Sequence, residues 1–526
     1  MLEYLHVGTA RDLAGGDRRL YRFLEIIPGF LAWITLALVV YVSFLAPAAA
    51  AIFIIVFDIY WLIKTIYLSL LVRSSFRRMR QHLKINWPER LQATGLNPML
   101  PGVQWNDLYH LVILPVSREP YEIVKECLQA ISNAHYEKDK FIVVLATEER
   151  AGDHVAELAC QAQAEYGDAF FKFLVTTHPI GIEGDLPGKG SNEAWAGLRV
   201  KKEIIDPLSI PHEQVIVSVF DIDTIVPPQF FACLAWHYMT AARPLNSSYQ
   251  PIPLFTNNIW EAPAFARVFA FSTTFWQMIQ QARKEQLVTF SSQSIGLKAL
   301  IDIGFWQRNV VSEDSRIFWQ CLLRYDGDWQ TIPMYYPVYM DANVAPTFWQ
   351  TLKNQYKQIR RWHYGAENNP YFMFGFLKNK QMPLSQKLHL SFVQTERTWS
   401  SPTNALIIFM LGWLPIVVGG PAFTETVLSF QLPRITATIM NISMIGLITS
   451  AILSINLLPP RPPQYGRFKW IWMTLQWVLF PINFIFFGAI PALDAQTRLM
   501  LGRYMGFWVT PKARLRSALE VFRKAV

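Results

Sequence analysis

Residues Val215 to Asp223 read VIVSVFDID. A run of β-branched and apolar residues with no polar alternation describes a strand covered on both faces, and it delivers two acids at its carboxyl end. On an extended segment residues two apart face the same way, so the Asp221 and Asp223 carboxylates are expected side by side. Paired carboxylates are hard oxygen ligands suited to Mg²⁺ or Mn²⁺, and the ion can in turn hold a diphosphate. An Asp-x-Asp on its own reads equally well as a solvated turn. The apolar strand leading into it favours the metal, because two acids without partners are costly there.

Upstream the same grammar repeats. His110 to Leu114 (HLVIL) predicts a strand ending at Pro115, and Tyr121 to Ile131 a helix. Phe141 to Leu145 (FIVVL) and Phe171 to Thr176 predict two more strands, separated by a helix over Arg150 to Tyr166. A loop with Gly181, Gly184, Gly188 and Gly190 is expected before Val215. Continuous apolar strands alternating with helices predict an α/β domain built on a doubly wound, mostly parallel sheet. Ligands in such sheets bind beyond the carboxyl ends of the strands, which is where Asp221 and Asp223 fall.

The chain has 526 residues, of which 52% are hydrophobic and 17% charged, a balance shifted toward membranes. Apolar stretches crowd the two ends: about Ile27 to Leu45 and Ala48 to Val72, then Asn404 to Gly420, Ile435 to Leu457 and Trp470 to Ile490. Each approaches the ~20 residues that cross a bilayer. The net charge of +9 sits beside these stretches, at Arg73, Arg77, Arg78 and Arg80 and at Arg461, Arg467 and Lys469. Basic flanks of this kind mark cytosolic membrane edges, so a lipid bilayer is the expected partner and nucleic acid is not. Within the second stretch, Lys64 is expected to snorkel and Asp58 to meet a neighbouring helix, although an acid lining a passage is the alternative. Four scattered cysteines suggest neither a zinc site nor a disulfide framework. No cleavable signal peptide is expected.

The expected organisation is a cytosolic tail (1–26), a transmembrane hairpin (27–72), a linker (73–107) and a cytosolic α/β domain (108–378). An interfacial segment (379–403), a transmembrane region (404–490) and an amphipathic, basic tail (491–526) complete it. Five spans beginning in the cytosol conflict with the basic tail, and Pro481 makes the last one a candidate re-entrant or interfacial segment.

Two further motifs carry chemistry. Ser312-Glu313-Asp314 precedes a helical run: Ser312 suits an N-cap with acids in the first turn, and functionally a carboxylate there could serve as a general base toward a hydroxyl. Gln358-Ile359-Arg360-Arg361-Trp362 closes a helix beginning near Phe348. A stacked surface pair is the plain account; functionally, Arg can neutralise a diphosphate and Trp can offer a flat face to a sugar ring.

In chain order these residues resemble the family 2 glycosyltransferases, in particular the membrane-embedded branch of cellulose, chitin and hyaluronan synthases, over about residues 108 to 365. The resemblance implies a GT-A-like fold and inverting, metal-dependent transfer of a sugar from a nucleotide-diphosphate donor, with Mg²⁺ or Mn²⁺. Pro115, Ser117 and Glu119 are similar to its first-strand nucleotide turn, with Arg118 where Asn is common. Lys189 and Asn192 resemble its donor loop, and Glu148 stands where Asp usually meets the nucleotide base. By the same likeness Asp223 contacts metal, Asp221 metal and nucleotide, and Asp314 is the general base, with Ser312 in place of Thr. Arg361 would meet the diphosphate, and Glu313, Gln358 and Trp362 the acceptor. Phe507 to Lys512 (FWVTPK) resembles the gating loop of cellulose synthases, where Thr510 and Lys512 would reach the diphosphate. The likeness further implies an integral protein of a bacterial-type cell membrane, extending a β-linked glycan or adding one sugar to a lipid or lipid-linked acceptor. A nucleotide-binding transporter or scaffold without chemistry is the alternative from another class.

Overall fold

The computed structural model describes residues 3–511 and 514. Seven strands form one sheet: β1 (Tyr109–Pro115), β2 (Phe141–Glu148), β3 (Lys172–His178), β4 (Val215–Val219), β5 (Ser247–Leu254), β6 (Ser294–Gly296) and β7 (Gln330–Tyr339), in the order β3-β2-β1-β4-β6-β5-β7. The first four are mutually parallel, with Val112 of β1 level with Val143 of β2 and Ser218 of β4. Only β6 runs against its neighbours.

The unbroken apolar runs have the reason inferred from the sequence. Every residue of β2 and β4 is buried, and their side chains alternate between two cores. Val112, Leu114, Val143, Leu145 and Ile216 pack under helices Tyr121–Ser132, Asp153–Tyr166 and Phe230–Thr240. Leu111, Ile113, Ile142, Val144, Val215 and Val217 pack under helices Lys189–Val200, Leu297–Ile303 and Glu313–Arg324. Helices on both faces leave only the strand ends open for a ligand.

Three differences from the sequence expectation matter. The glycine-containing loop ends at Gly188, and a helix starts at Lys189, so Gly190 lies inside its first turn. β2 continues past Leu145 to Glu148. Strands β5 to β7 add to the four that the apolar runs predict: β5 contains Pro251 and Pro253, β7 contains Pro333 and Pro337, and β6 has three residues. Proline lacks the ladder donor and argues against a strand in sequence. Here the β5–β7 pairing shifts register between Gln250 and Ile252, around Pro251.

Among the described residues four helices are long and apolar enough to cross a membrane: Gly15–Leu45, Pro47–His82, Val427–Asn456 and Lys469–Met500. A fifth arises if Leu384–Phe409 and Leu411–Val418, bent by 48°, count as one span. Pro402 lies inside the first of that pair. Asp58 is buried, and Lys64 pairs with Glu396 on Leu384–Phe409 while lying 4.3 Å over the Trp61 ring.

Candidate active site

The open strand ends and three helix ends surround a cavity of about 210 Å³. β1 supplies Pro115 and, just beyond it, Ser117 and Glu119; β2 supplies Glu148, and the turn after β4 supplies Asp221 and Asp223. The amino end of Lys189–Val200 brings Lys189 and Asn192, and that of Glu313–Arg324 brings Glu313 and Asp314. Gln358, Arg361 and Trp362 come from the carboxyl end of Phe348–His363, and Thr510 from the loop near the chain end. All these sequence-derived candidates line the one cavity. Lys512, the remaining one, lies outside the described residues.

Lys189 is the electrostatic centre. Its Nζ stands 2.7 Å from Asp314 Oδ1, 3.0 Å from Asp221 Oδ1, 3.5 Å from Glu193 Oε1 and 3.6 Å from Glu313 Oε1. Burial pulls the ammonium toward neutrality, but Asp221, Asp314, Glu193 and Glu313 together hold it well above the ordinary lysine range. The acids feel the reverse: burial raises Glu193 and Glu313, and it raises Asp314 against the pull of Lys189. Gly190 permits this crowding, because a Cβ there would stand 3.0 Å from both the Glu313 Cβ and the Gln307 carbonyl oxygen.

Asp221 and Asp223 depart from the expected extended geometry. β4 ends at Val219, and Thr224 N–H donates to the Asp221 carbonyl at 2.8 Å, closing a turn. The two carboxylates therefore face different partners. Asp221 accepts from Ser291 Oγ at 2.7 Å. Asp223 is fully buried and accepts from the Asp341 N–H at 2.9 Å. Both still border the cavity. Among the described residues no group of three or more His, Cys, Asp or Glu forms a metal cage. Two carboxylates suit Mg²⁺ or Mn²⁺ all the same, since such ions commonly complete their shell with substrate phosphates and water.

Ser312 occupies the position before the helix without capping it. Its Oγ donates to Glu367 Oε1 at 2.7 Å, and the N–H groups of Val311 and Ser312 donate to the same oxygen at 2.9 and 2.8 Å. Glu367 thus fixes the approach to Asp314, whose own carbonyl accepts from Thr289 Oγ1 at 2.7 Å.

The remaining candidates have local engagements. Glu119 accepts from the N–H groups of Ser117 and Arg118 at 2.8 and 2.9 Å, shaping its own turn. Glu148 takes a two-pronged contact from Arg150, at 3.0 and 2.8 Å. Asn192 Nδ2 donates to the Ala146 carbonyl at 2.8 Å, which ties the helix to β2. Trp362 stands among Phe255, Phe269 and Phe290 with ring centroids 6.0 to 6.2 Å away. The Arg361 guanidinium lies 4.5 Å over the Phe507 ring. A second cavity of about 280 Å³ adjoins the first, between Arg118, Arg150 and residues 507–511.

Two participants carry no signal in the sequence. Glu193 becomes visible only when a helix replaces the expected loop, since it sits one turn from Lys189. Arg514 donates through Nε to both Asp341 carboxylate oxygens, at 2.7 and 2.8 Å, pairs with Glu126, and donates to the Asp223 carbonyl at 3.0 Å. Nothing in the basic tail marks it out from its neighbours.

No protein-family model matches the chain, and no curated protein matches it. Among solved structures it is similar to a mannosyltransferase from Pyrobaculum calidifontis in complex with GDP-Man and Mn²⁺, at 13% identity, over 76% of this chain and 99% of that one, with a TM-score of 0.40. S. aureus TarS 1–349 in complex with UDP aligns at 11% identity over 66% of this chain and 90% of that one, with a TM-score of 0.35. GalNAc-T7 with UDP, GalNAc and Mn²⁺ aligns at 9% identity over 56% and 59%, with a TM-score of 0.33.

Proposed function

We propose that this chain is a membrane-embedded, inverting glycosyltransferase of the family 2 type, with a GT-A-like domain on the cytosolic side. One observation carries the reading: Lys189 Nζ joins Asp314 (2.7 Å) to Asp221 (3.0 Å) in a cavity also walled by Arg361 and Trp362. A base, a pair of carboxylates for a divalent ion, cations for a diphosphate and a flat ring for a sugar are what such a transfer needs in one place.

In the proposed reaction Asp314 takes the proton of an acceptor hydroxyl as its oxygen attacks the anomeric carbon of the donor sugar. The new C–O bond forms as the bond to the diphosphate oxygen breaks, and one displacement inverts the anomeric centre. Arg361, Lys189 and, by its place in the loop motif, Lys512 neutralise the departing diphosphate. Asp221 and Asp223 would hold Mg²⁺ or Mn²⁺, which supplies Lewis-acid stabilisation of that leaving group. General-base help contributes about 10²–10⁴-fold, with electrostatic stabilisation of the leaving group the larger effect.

The acceptor side supports a membrane setting. Trp362 packs into a cluster that includes Val72, Ala451, Leu453, Trp477 and Phe487 from the membrane-type helices. A glycan extended at the membrane and a lipid-linked acceptor both fit that continuity. The four or five candidate spans among the described residues favour single-sugar transfer, whereas the Gln-x-x-Arg-Trp and loop motifs favour extension.

The deciding experiment incubates detergent-purified protein with uridine and guanosine diphosphate sugars and Mn²⁺ or Mg²⁺. Released nucleoside diphosphate is measured, and product size is read by mass spectrometry. Metal-dependent release with a sugar-bearing product is expected. Absence of release across the panel would leave the transporter or scaffold reading in its place.

A further inference from the structure

Glu193 is the one acid of the Lys189 cluster that does not border the cavity. Its side chain is wholly excluded from solvent, and neither carboxylate oxygen has a hydrogen-bond partner among the described residues. Among the described residues the cation within salt-bridge reach is Lys189, 3.5 Å away and four residues earlier on the same helix. Burial raises the Glu193 carboxyl well above its ordinary range, and Lys189 is the group that opposes the rise and favours its ionised form. Helical geometry places residues i and i+4 on one face, so this contact is built into the backbone.

The other three acids stand differently. Asp221, Glu313 and Asp314 all line the cavity, where a metal, a diphosphate or an acceptor can compete for Lys189. A lysine ammonium on a flexible four-carbon stem has no preferred direction of its own and follows the charges offered to it. Glu193 lies outside the cavity lining, on the same helix as Lys189.

We propose that Glu193 is a positioning residue that tethers Lys189 between Asp314 and Asp221, keeping the ammonium beside the base as the diphosphate departs. This rests on Asp314 being the base. Glu193 touches no substrate and acts through Lys189 alone.

The test uses full-length protein in detergent with Mn²⁺ and radiolabelled UDP-glucose, UDP-N-acetylglucosamine and GDP-mannose, so that slow rates stay measurable. Glu193→Gln keeps the shape and removes the ionisable carboxyl. It is expected to lower kcat about 10- to 100-fold while donor KM stays within about twofold. In a Lys189→Met background the same change should have no further effect, because the two residues act as a unit. A kcat equal to wild type, or an equal additional loss on top of Lys189→Met, overturns the tether; the latter would mark a packing role. Should Glu193→Gln not fold, Glu193→Met removes the ionisable carboxyl without adding a buried amide and is read against the same outcomes.

Asp314→Asn separates this inference from its premise. An active Asp314→Asn protein removes the base and the tether together. An inactive one beside a fully active Glu193→Gln removes the tether alone. A wild-type protein that releases no diphosphate from any of the three donors removes both.

Discussion

Phe507 rests on Gly188 with no room for a side chain between them: a Cβ on Gly188 would stand 2.6 Å from the Phe507 Cβ. The same ring carries the Arg361 guanidinium 4.5 Å above it. A glycine ahead of the Lys189 helix, a loop near the chain end and the Arg of the Gln-x-x-Arg-Trp motif are thereby stacked into one wall of the cavity. The loop closes over the site because that glycine lets it.

Gly188→Ala should therefore displace the loop rather than unfold the domain, since the clash falls on a loop side chain at the surface of the sheet end. Donor KM is expected to rise about tenfold, with kcat less affected, because diphosphate contacts at Thr510 would be weakened in the ground state and the transition state alike. Steady-state kinetics and a melting curve check it. An unchanged KM would mean that residues 507–510 do not meet the donor.

As the proposed base, Asp314 should set the pH dependence. Burial raises its carboxyl above the ordinary value of 3.8, against the opposing pull of Lys189. A general base works only when ionised, so kcat/KM should hold at higher pH and fall as pH drops through the raised value. The acidic limb of the profile is expected above pH 3.8, and Asp314→Asn should lose about 10²–10⁴-fold in kcat with nucleotide binding nearly intact. A limb at or below the ordinary value, or normal turnover by Asp314→Asn, would remove Asp314 from the role.

How far the sequence revealed this site depends on which force shaped each part. The VIVSVF run was readable because burial on both faces leaves no polar alternation, and it placed Asp221 and Asp223 at a sheet end. Their relative orientation was not readable, because a turn closed by Thr224 replaced the extended geometry. β5 and β7 were hidden by Pro251, Pro253, Pro333 and Pro337, whose local signal opposes a strand that tertiary packing nonetheless forms. Glu193 was hidden because Gly188 and Gly190 suggested a loop, and the i,i+4 relation to Lys189 exists only in a helix. Glu126, Asp341 and Arg514 meet only through the fold, from segments far apart in the chain, with no spacing to announce them.

Gly190 makes a different prediction from Gly188, because its neighbours are rigid. A Cβ there would stand 3.0 Å from the Glu313 Cβ and 3.0 Å from the Gln307 carbonyl oxygen. The contact is relieved by a shift of a few tenths of an ångström between the Lys189–Val200 and Glu313–Arg324 helices. Overpacking of this kind lowers stability by about 1–3 kcal/mol, and moving the base by even a fraction of an ångström lowers kcat. Gly190→Ala should therefore reduce both the melting temperature and kcat, where Gly188→Ala chiefly raises KM. Matching effects from the two substitutions would contradict the assignment of one glycine to the loop and the other to the base.

If Trp362 holds the acceptor as proposed, its loss should separate donor chemistry from acceptor binding. Its ring stands among Phe255, Phe269 and Phe290, in a cluster that continues into the membrane-type helices, whereas Lys189 is surrounded by the acids. Trp362→Leu retains an apolar filling but removes the flat face on which a sugar ring would stack. Transfer to the acceptor should fall about tenfold or more, whereas donor binding and slow donor hydrolysis by water should persist. Comparing acceptor-dependent product with total diphosphate release reads the two separately. Equal loss of both would place Trp362 in the donor half of the site and leave the acceptor without the face assigned to it.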